Sequence, residues 1–532
     1  MPSVPSRLSV LLLLGLAACA AKPPAAEPGL TFIHMNDTYR VDAVEDGARG
    51  GFGRVVTIVR ELKEQGRDVR LLHGGDFLHP SLESQVWNGE QMVEAMNFLD
   101  NLAPLYAVPG NHEFDPREPT ELVRRLRESR FDWLGDNFSL ATGDGAADAA
   151  LRRAFTFEAG SRKIGIFALT LHPEDDGNLR DHTPFANGSY LEHAERVIVE
   201  LEAQGADLII GLTHLYVEDD LEIATLRARH PKFLFIVGGH EHEPEYAEGA
   251  AYSAAVMKAA SNARTVWRID VTFGPDGPRM SETMLTVDAS IAVDEEYRRI
   301  SDRWRARLVG LMPFIEARVG EAAVPLDGRE TAVRNGDSNW GHFIADQMLT
   351  AFHDPPADLA LVNGGTLRID DFIVGDITFE DIGRTFGFSS YLRRMTMGGR
   401  DFRRLLEAGY RGMGPSKGYF PQVAGFRVCV DRSRPDGERI VQLQVPGEAG
   451  GWREIEAERR YTVIAPDYLY RGGDGYDFSA AREVSPPGSE LVYLVLDAII
   501  NAQAEGRKVG APLDPANPRF AILPAGAERC FP

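Results

Sequence analysis

A rhythm governs the first half of this chain. From Leu30 to about Asp270, short β-rich apolar runs each end in a polar, glycine-containing loop: Leu30 to His34, Val69 to His73, Leu105 to Val108, Ile164 to Leu169, Leu208 to Leu212 and Phe233 to Val237. Helical patterns lie between several of them; Val55, Ile58, Val59 and Leu62, for example, share one apolar face. Alternating strands and helices predict an α/β unit with a largely parallel sheet, helices on both faces, and ligands gathered at the carboxyl ends of the strands.

That unit cannot account for the whole chain. Its 532 residues correspond to roughly two to four domains at ~150 residues each. The charged stretch Glu295 to Val319, interrupted by Pro313, reads as a helical connector. A second mixed unit follows from about Val324, with a helix from Asn339 to Phe352, strands near Leu359 to Val362 and Tyr461 to Ala465, and a hairpin around Pro446 to Gly451. Lys plus Arg number 57 against 79 Asp plus Glu, and the net charge of −22 comes without a basic stripe, which excludes a nucleic acid polymer as partner. A small phosphorylated substrate remains compatible with that charge where local cations outweigh the global field.

The apolar run Leu8 to Ala21, about fourteen residues, is shorter than the ~20 of a spanning helix and reads as an export signal behind Arg7. Leu16-Ala17-Ala18-Cys19 resembles the lipobox of bacterial lipoproteins, which makes residues 1–18 a signal peptide, Cys19 the acylated residue that anchors the chain to a membrane, and residues 19–28 a Pro- and Ala-rich tether. Ala20 in place of Asp resembles the pattern sorted to the outer membrane, facing the periplasm; an ordinary signal peptide, with Cys19 incidental, is the alternative. Of the other cysteines, Cys429 and Cys530 form either a disulfide or two buried thiols.

Five strand-end loops carry Asn36-Asp37, Gly74-Gly75-Asp76, Gly110-Asn111-His112-Glu113-Phe114-Asp115, Thr213-His214 and Gly238-Gly239-His240-Glu241-His242. They offer oxygen and imidazole nitrogen without thiolate, a donor set suited to Mn, Zn, Fe or Mg. The glycines let the backbone turn so that the next side chain enters a shared crevice. A single His or Gly-Gly-Asp is more often structural, and the signal lies in five such loops in this order.

Here the sequence resembles the calcineurin-like metallophosphatases, whose motifs run Asp-x-His, Gly-Asp, Gly-Asn-His-Glu, His and Gly-His-x-His. The second half resembles the carboxyl-terminal domain of the 5'-nucleotidase and UDP-sugar hydrolase family, through Asn363-Gly364-Gly365-Thr366-Leu367-Arg368, Gly418-Tyr419-Phe420-Pro421-Gln422-Val423, and Tyr468 with Gly472-Gly473-Asp474-Gly475-Tyr476. The resemblance implies a four-layer metallophosphoesterase β-sandwich flanked by helices over residues 29–290, a connecting helix over 291–320, and a smaller α/β substrate-binding domain over 321–532.

It also implies two divalent cations bridged by Asp76, with Asp37 and His242 completing one site and Asn111, His214 and His240 the other. His112 would stabilise the transferring phosphoryl oxygens or assist the leaving group, with Asp115 orienting it or serving as a helix cap. Where Asp-x-His is usual, Asp37-Thr38-Tyr39 stands, as in a subset of relatives, so Tyr39 faces the first metal either as a phenolate ligand or, the favoured expectation, standing off as a phenol. Phe420 and Tyr468 would clamp a nucleobase, Asp474 would accept from the sugar or position the Tyr468 loop, and Arg368 would pair with phosphate or ribose. Asn363 would bind substrate or form a turn, and Arg393 and Arg394 are weaker candidates. Ser338 or Asn339 caps a helix, and His34, His73 and His79 match no ligand position.

The expected activity is that of an exported dimetal phosphoric ester hydrolase releasing phosphate from nucleotides by in-line attack of metal-bound hydroxide. The alternatives are a 2',3'-cyclic nucleotide phosphodiesterase, a UDP-sugar hydrolase, or a catalytically weak nucleotide-binding lipoprotein.

Overall fold

The computed structural model describes residues 29–116, 119–173, 183–248, 253–274, 277–352, 356–412, 417–448 and 450–532. The expected signal peptide, Cys19 and the tether lie outside them. Among the described residues, no helix is long and apolar enough to cross a membrane.

The apolar runs form strands, in two sheets rather than the single sheet that the rhythm suggests. One has seven strands in the order Gly277–Thr286, Thr265–Gly274, Leu30–Met35, Asp68–His73, Leu105–Ala107, Asp132–Leu134, Leu151–Arg152. The other has six, in the order Glu245–Glu248, Ala255–Lys258, Phe233–Gly238, Leu208–His214, Arg162–Thr170, Phe155–Ala159. Pairing is parallel in the middle of each sheet; antiparallel pairs lie at both edges of the six-stranded sheet but at one side only of the seven-stranded one, where Leu30–Met35 runs parallel to Asp68–His73 and antiparallel to Thr265–Gly274. The sheets pack face to face through Phe32, Leu72, Ile166, Ile210, Leu212 and Val237. A strand such as Leu208–His214, buried at every residue, reads the same in sequence whether its second face meets helices or another sheet.

Helices cover the two outer faces, Phe52–Glu64 and Glu90–Leu102 on one side and Tyr190–Ala203 and Val217–Ala224 on the other, giving four layers. The connector is a helix, Glu295–Leu311, capped by the Asp294 carboxylate, which accepts from the backbone N–H groups of Glu296 and Tyr297. It stops ahead of Pro313 rather than running to Val319, because proline lacks the N–H that the next turn needs, and Arg318–Glu321 is a strand. Tyr297, Ile300 and Trp304 bury its inner face in the first core.

Beyond it stand two four-stranded sheets. One has the order Leu392–Gly398, Arg460–Pro466, Leu359–Asn363, Pro421–Ala424, and the other Trp452–Glu454, Ile440–Pro446, Arg427–Val430, Phe520–Ile522. The hairpin expected at Pro446 to Gly451 joins two antiparallel strands of the second sheet, and Ser338 caps the helix Asn339–Met348. Cys429 and Cys530 are joined as a disulfide, which ties the C-terminal segment to this sheet.

Candidate metal centre

All five loops converge at the carboxyl ends of the strands. Four of the expected ligand positions carry a left-handed backbone that side chains other than glycine avoid: Asp37 (φ 51°), Asp76 (φ 58°), His240 (φ 91°) and His242 (φ 66°). Such residues cost about 1 to 3 kcal/mol each and persist where the surroundings over-determine them. The restraints are visible. The Glu113 carboxylate accepts four backbone N–H bonds, from Asp76 (2.8 Å), Phe77 (2.7 Å), Leu78 (2.9 Å) and Gly110 (2.6 Å). Gly75, at φ 86°, lies so close to the next loop that a Cβ would fall 2.6 Å from both Gly110 N and His214 Nδ1.

Ligand atoms of Asp37, Asp76 and His242 lie within 4.8 Å of one another, all three residues buried. His242 Nε2 is 3.3 Å from Asp37 Oδ1. His214 Nε2 is 3.3 Å from Asp76 Oδ2 and 3.1 Å from Asn111 Oδ1. Both imidazoles are oriented from behind, His214 Nδ1 on Gly74 O at 2.7 Å and His242 Nδ1 on the Glu330 carboxylate at 2.9 Å, which leaves each Nε2 turned toward the carboxylates. His240 donates its backbone N–H to Asp37 Oδ2 at 2.9 Å, and its ring packs against Tyr216 and His214. This buried set of carboxylate, amide and imidazole donors, with both rings oriented from behind, fits divalent cations.

The electrostatics show how strongly the groups act on one another. Burial works against ionising Asp37 and Asp76, yet His242 and His214 outweigh it and hold both carboxyls below the usual range. Burial likewise opposes charge on His214, but Asp76 lifts its pKa to about 10. Burial and then Asp76 push Glu113 up to about 7. Tyr39 places its hydroxyl 2.8 Å from His242 Nε2, 3.3 Å from Asp37 Oδ1 and 3.4 Å from Asp76 Oδ2; burial and those two carboxylates push its pKa well above the usual phenol value.

His112 and Asp115 pair as expected, Nδ1 to Oδ2 at 2.8 Å, while His112 Nε2 faces Arg368 Nη2 at 3.1 Å across the domain boundary. A cavity of about 300 Å³ opens there. Asp76, Asn111, His112, Asp115, His240 and His242 line one side; Arg334, Asn363, Arg368, Phe388, Arg411, Tyr419, Tyr468 and Asp474 line the other. Tyr468 is held by its hydroxyl on Asp474 Oδ1 (3.0 Å), and Asn363 Nδ2 donates to Asp474 Oδ2 (2.8 Å), so Asp474 and Asn363 are engaged in shaping the wall.

One aromatic is elsewhere. Phe420, 4 % exposed, packs edge-on against Tyr410 and Phe520 in the core, and its neighbour Tyr419 takes the place expected of it at the cavity. Adjacent residues entering a strand point to opposite faces, so only one of the two can reach the cavity. Arg393 lies over Tyr470 and donates to Ser485 O, and neither it nor Arg394 lines the cavity. His34 and His73 are buried beneath the loops, on Gly238 O and Thr38 Oγ1 respectively. Sequence reasoning missed Glu113, Glu330, Arg334, Phe388, Arg411 and Tyr419. Glu330 and Arg334 are four residues apart with opposite charge, a helical pairing signal that could have drawn attention to both.

A two-sheet sandwich with hard donors clustered at its strand ends defines a metallophosphoesterase, and residues 30–244 match the calcineurin-like phosphoesterase family. Residues 318–481 match the 5'-nucleotidase C-terminal domain, and the chain belongs to the 5'-nucleotidase family, phosphoester hydrolases that depend on two divalent metal ions. It is 25% identical to human 5'-nucleotidase over 522 residues, 88% of each chain. It is 26% identical to the trifunctional nucleotide phosphoesterase protein YfkN of Bacillus subtilis over 505 residues, 87% of this chain and 33% of that one. The solved 5'-nucleotidase precursor from Thermus thermophilus shares the fold, with a TM-score of 0.78 at 24% identity over 93% of this chain and 99% of that one.

Proposed function

We propose that this protein is an exported hydrolase that releases phosphate from nucleotides. The observation that carries the reading is one cavity in which Asp76, Asn111, His240 and His242, the His112–Asp115 pair and Arg368 face two anchored tyrosine rings. Asp37, Asp76 and His242 would hold one divalent ion, and Asp76, Asn111, His214 and His240 the second. When bound, the ions supply Lewis-acid activation of the phosphoryl group and of water.

The chain's own groups do the rest. Arg368, lying against the Tyr39 and Phe388 rings, offers a planar cation to phosphoryl oxygens beside His112. His112 Nε2, at the mouth of the site, is placed to give a proton to the departing ester oxygen, while Asp115 fixes the ring through Nδ1. Tyr468 and Tyr419 present aromatic faces to a base; Tyr419 is fixed by its hydroxyl on Arg411 O at 2.7 Å and by the Arg411 guanidinium 4.2 Å over its ring. Tyr39 would stand beside the first metal, its hydroxyl on His242 Nε2. The Cys429–Cys530 disulfide supports an oxidising compartment, in keeping with export and a lipid anchor at Cys19.

A panel of AMP, 2',3'-cyclic AMP and UDP-glucose, assayed with added Mn or Zn, tests this. Adenosine and free phosphate from AMP are expected. Turnover of only the cyclic or sugar nucleotide would reassign the substrate, and binding of all three without product would overturn hydrolysis.

A further inference from the structure

Glu330 does not belong to the metal domain, yet it touches a metal-ligating side chain. It opens the short helix Glu330–Val333, whose Val333 belongs to the core of the second domain, and is 1 % exposed. Its Oε2 meets His242 Nδ1 at 2.9 Å and accepts from Ser261 Oγ at 2.7 Å, while its Oε1 accepts from Arg334 Nη2 at 2.9 Å. Arg264 of the first domain stands 3.8 Å away and also pairs with Asp370, 3.4 Å off. Asp370 accepts the Glu330 backbone N–H at 3.1 Å and the Asn262 amide at 3.1 Å. The other oriented imidazole, His214, is held by Gly74 O of its own domain.

The consequences are physical. A carboxylate on Nδ1 fixes the tautomer that turns the Nε2 lone pair toward Asp37 and raises its donor strength. A buried carboxylate is stable only while paired, so Glu330 needs Arg334, Arg264 and His242 together. Moving the second domain away would take Glu330 from His242 and leave Arg264 without either acid. Two equilibria that share one contact are linked reciprocally.

We propose that Glu330 is a positioning residue through which docking of the second domain and retention of the ion at Asp37, Asp76 and His242 favour each other. The proposal rests on the reading that those three residues hold a divalent ion, and not on which ester is cleaved. The domain that carries the base-stacking rings is thereby seated by a loaded metal centre.

The test uses the full chain and Mn titrated in competition with a chelating dye. Glu330→Gln is expected to weaken one of the two Mn ions by about 10- to 100-fold, the cost usual for losing an outer partner of a ligand, while excess Mn restores kcat. Glu83→Gln removes another contact between the domains, the ion pair with Arg384 at 3.1 Å, without touching a ligand, and is expected to weaken Mn less than Glu330→Gln does, only as far as docking itself is weakened. Unchanged Mn affinity in Glu330→Gln, or an equal loss in both variants, would overturn the proposal. Should Glu330→Gln fail to fold, hydrogen exchange on the wild type decides. Mn is expected to slow exchange at 330–334, and identical exchange with and without Mn would refute the link. Because these readouts follow metal and not product, a chain that binds two Mn but cleaves no nucleotide would sink the proposed function and leave this link standing.

Discussion

The two walls of the cavity are built on different physical plans. On the metal side Asp37, Asp76, His214 and His242 are all buried, sit at strand ends, and three of them carry a left-handed backbone held by neighbouring loops. On the other side Arg411, Tyr419 and Tyr468 are only partly buried; the first two project from a bend and a turn, and Tyr468 from the short helix Asp467–Tyr470. Strain and burial suit groups whose spacing must not change as charge develops. Half-exposed rings with anchored hydroxyls suit recognition, where a flat ligand must enter and leave. The metal wall should therefore govern rate, and the aromatic wall affinity.

The sharpest way to break that division is Asp76→Ala. It should abolish phosphate release and deplete both metals, read by elemental analysis, because this carboxylate faces both halves of the donor set. His112→Ala should keep both metals and lose roughly 10²- to 10⁴-fold in kcat, the usual span for a positioned acid or base; equal metal loss in the two variants would erase the distinction between holding ions and moving protons.

On the aromatic wall, Tyr468→Ala should raise KM for AMP by an amount equivalent to ~1 to 3 kcal/mol of stacking, and leave p-nitrophenyl phosphate nearly untouched. Phe420→Ala is the contrast. It should cost about 3 to 5 kcal/mol of stability in denaturant unfolding and lower both substrates alike, as a core deletion does.

A smaller effect concerns pH. Burial opposes charge on His112, but Asp115 and Asp76 outweigh it and raise its pKa above the usual value. A proton donor held above its usual pKa stays competent until pH rises through the raised value. Asp115→Asn should therefore move the alkaline limb of the kcat profile to lower pH; an unmoved limb would assign it to another group. The smallest change is expected from Tyr39→His, which puts an imidazole donor where the phenol stands and should tighten one ion of the two in the dye competition. A visible charge-transfer band in iron-loaded wild type, lost in Tyr39→Phe, would instead make Tyr39 a phenolate ligand.

The metal wall was legible because each donor follows a glycine or a strand end, a local signal that survives without knowledge of the fold. Glu113 and Glu330 were not, since their meaning lies in contacts rather than neighbours: His242 and Glu330 are 88 residues apart in sequence. Tyr419 and Phe420 show a finer limit. The motif located the pair, but the register of the strand Pro421–Ala424, set by pairing with Leu359–Asn363, decides which ring is buried. The second sheet of the sandwich was equally hidden from periodicity, because strands buried on both faces leave no alternation to read.

The most direct test of the account measures metal and product on one sample: protein purified without chelator, loaded with Mn, analysed for ions per chain and then given AMP. The account predicts two ions per chain and stoichiometric adenosine and phosphate. Two bound ions with AMP bound and no phosphate released, or full turnover by a chain stripped of both ions, would contradict it.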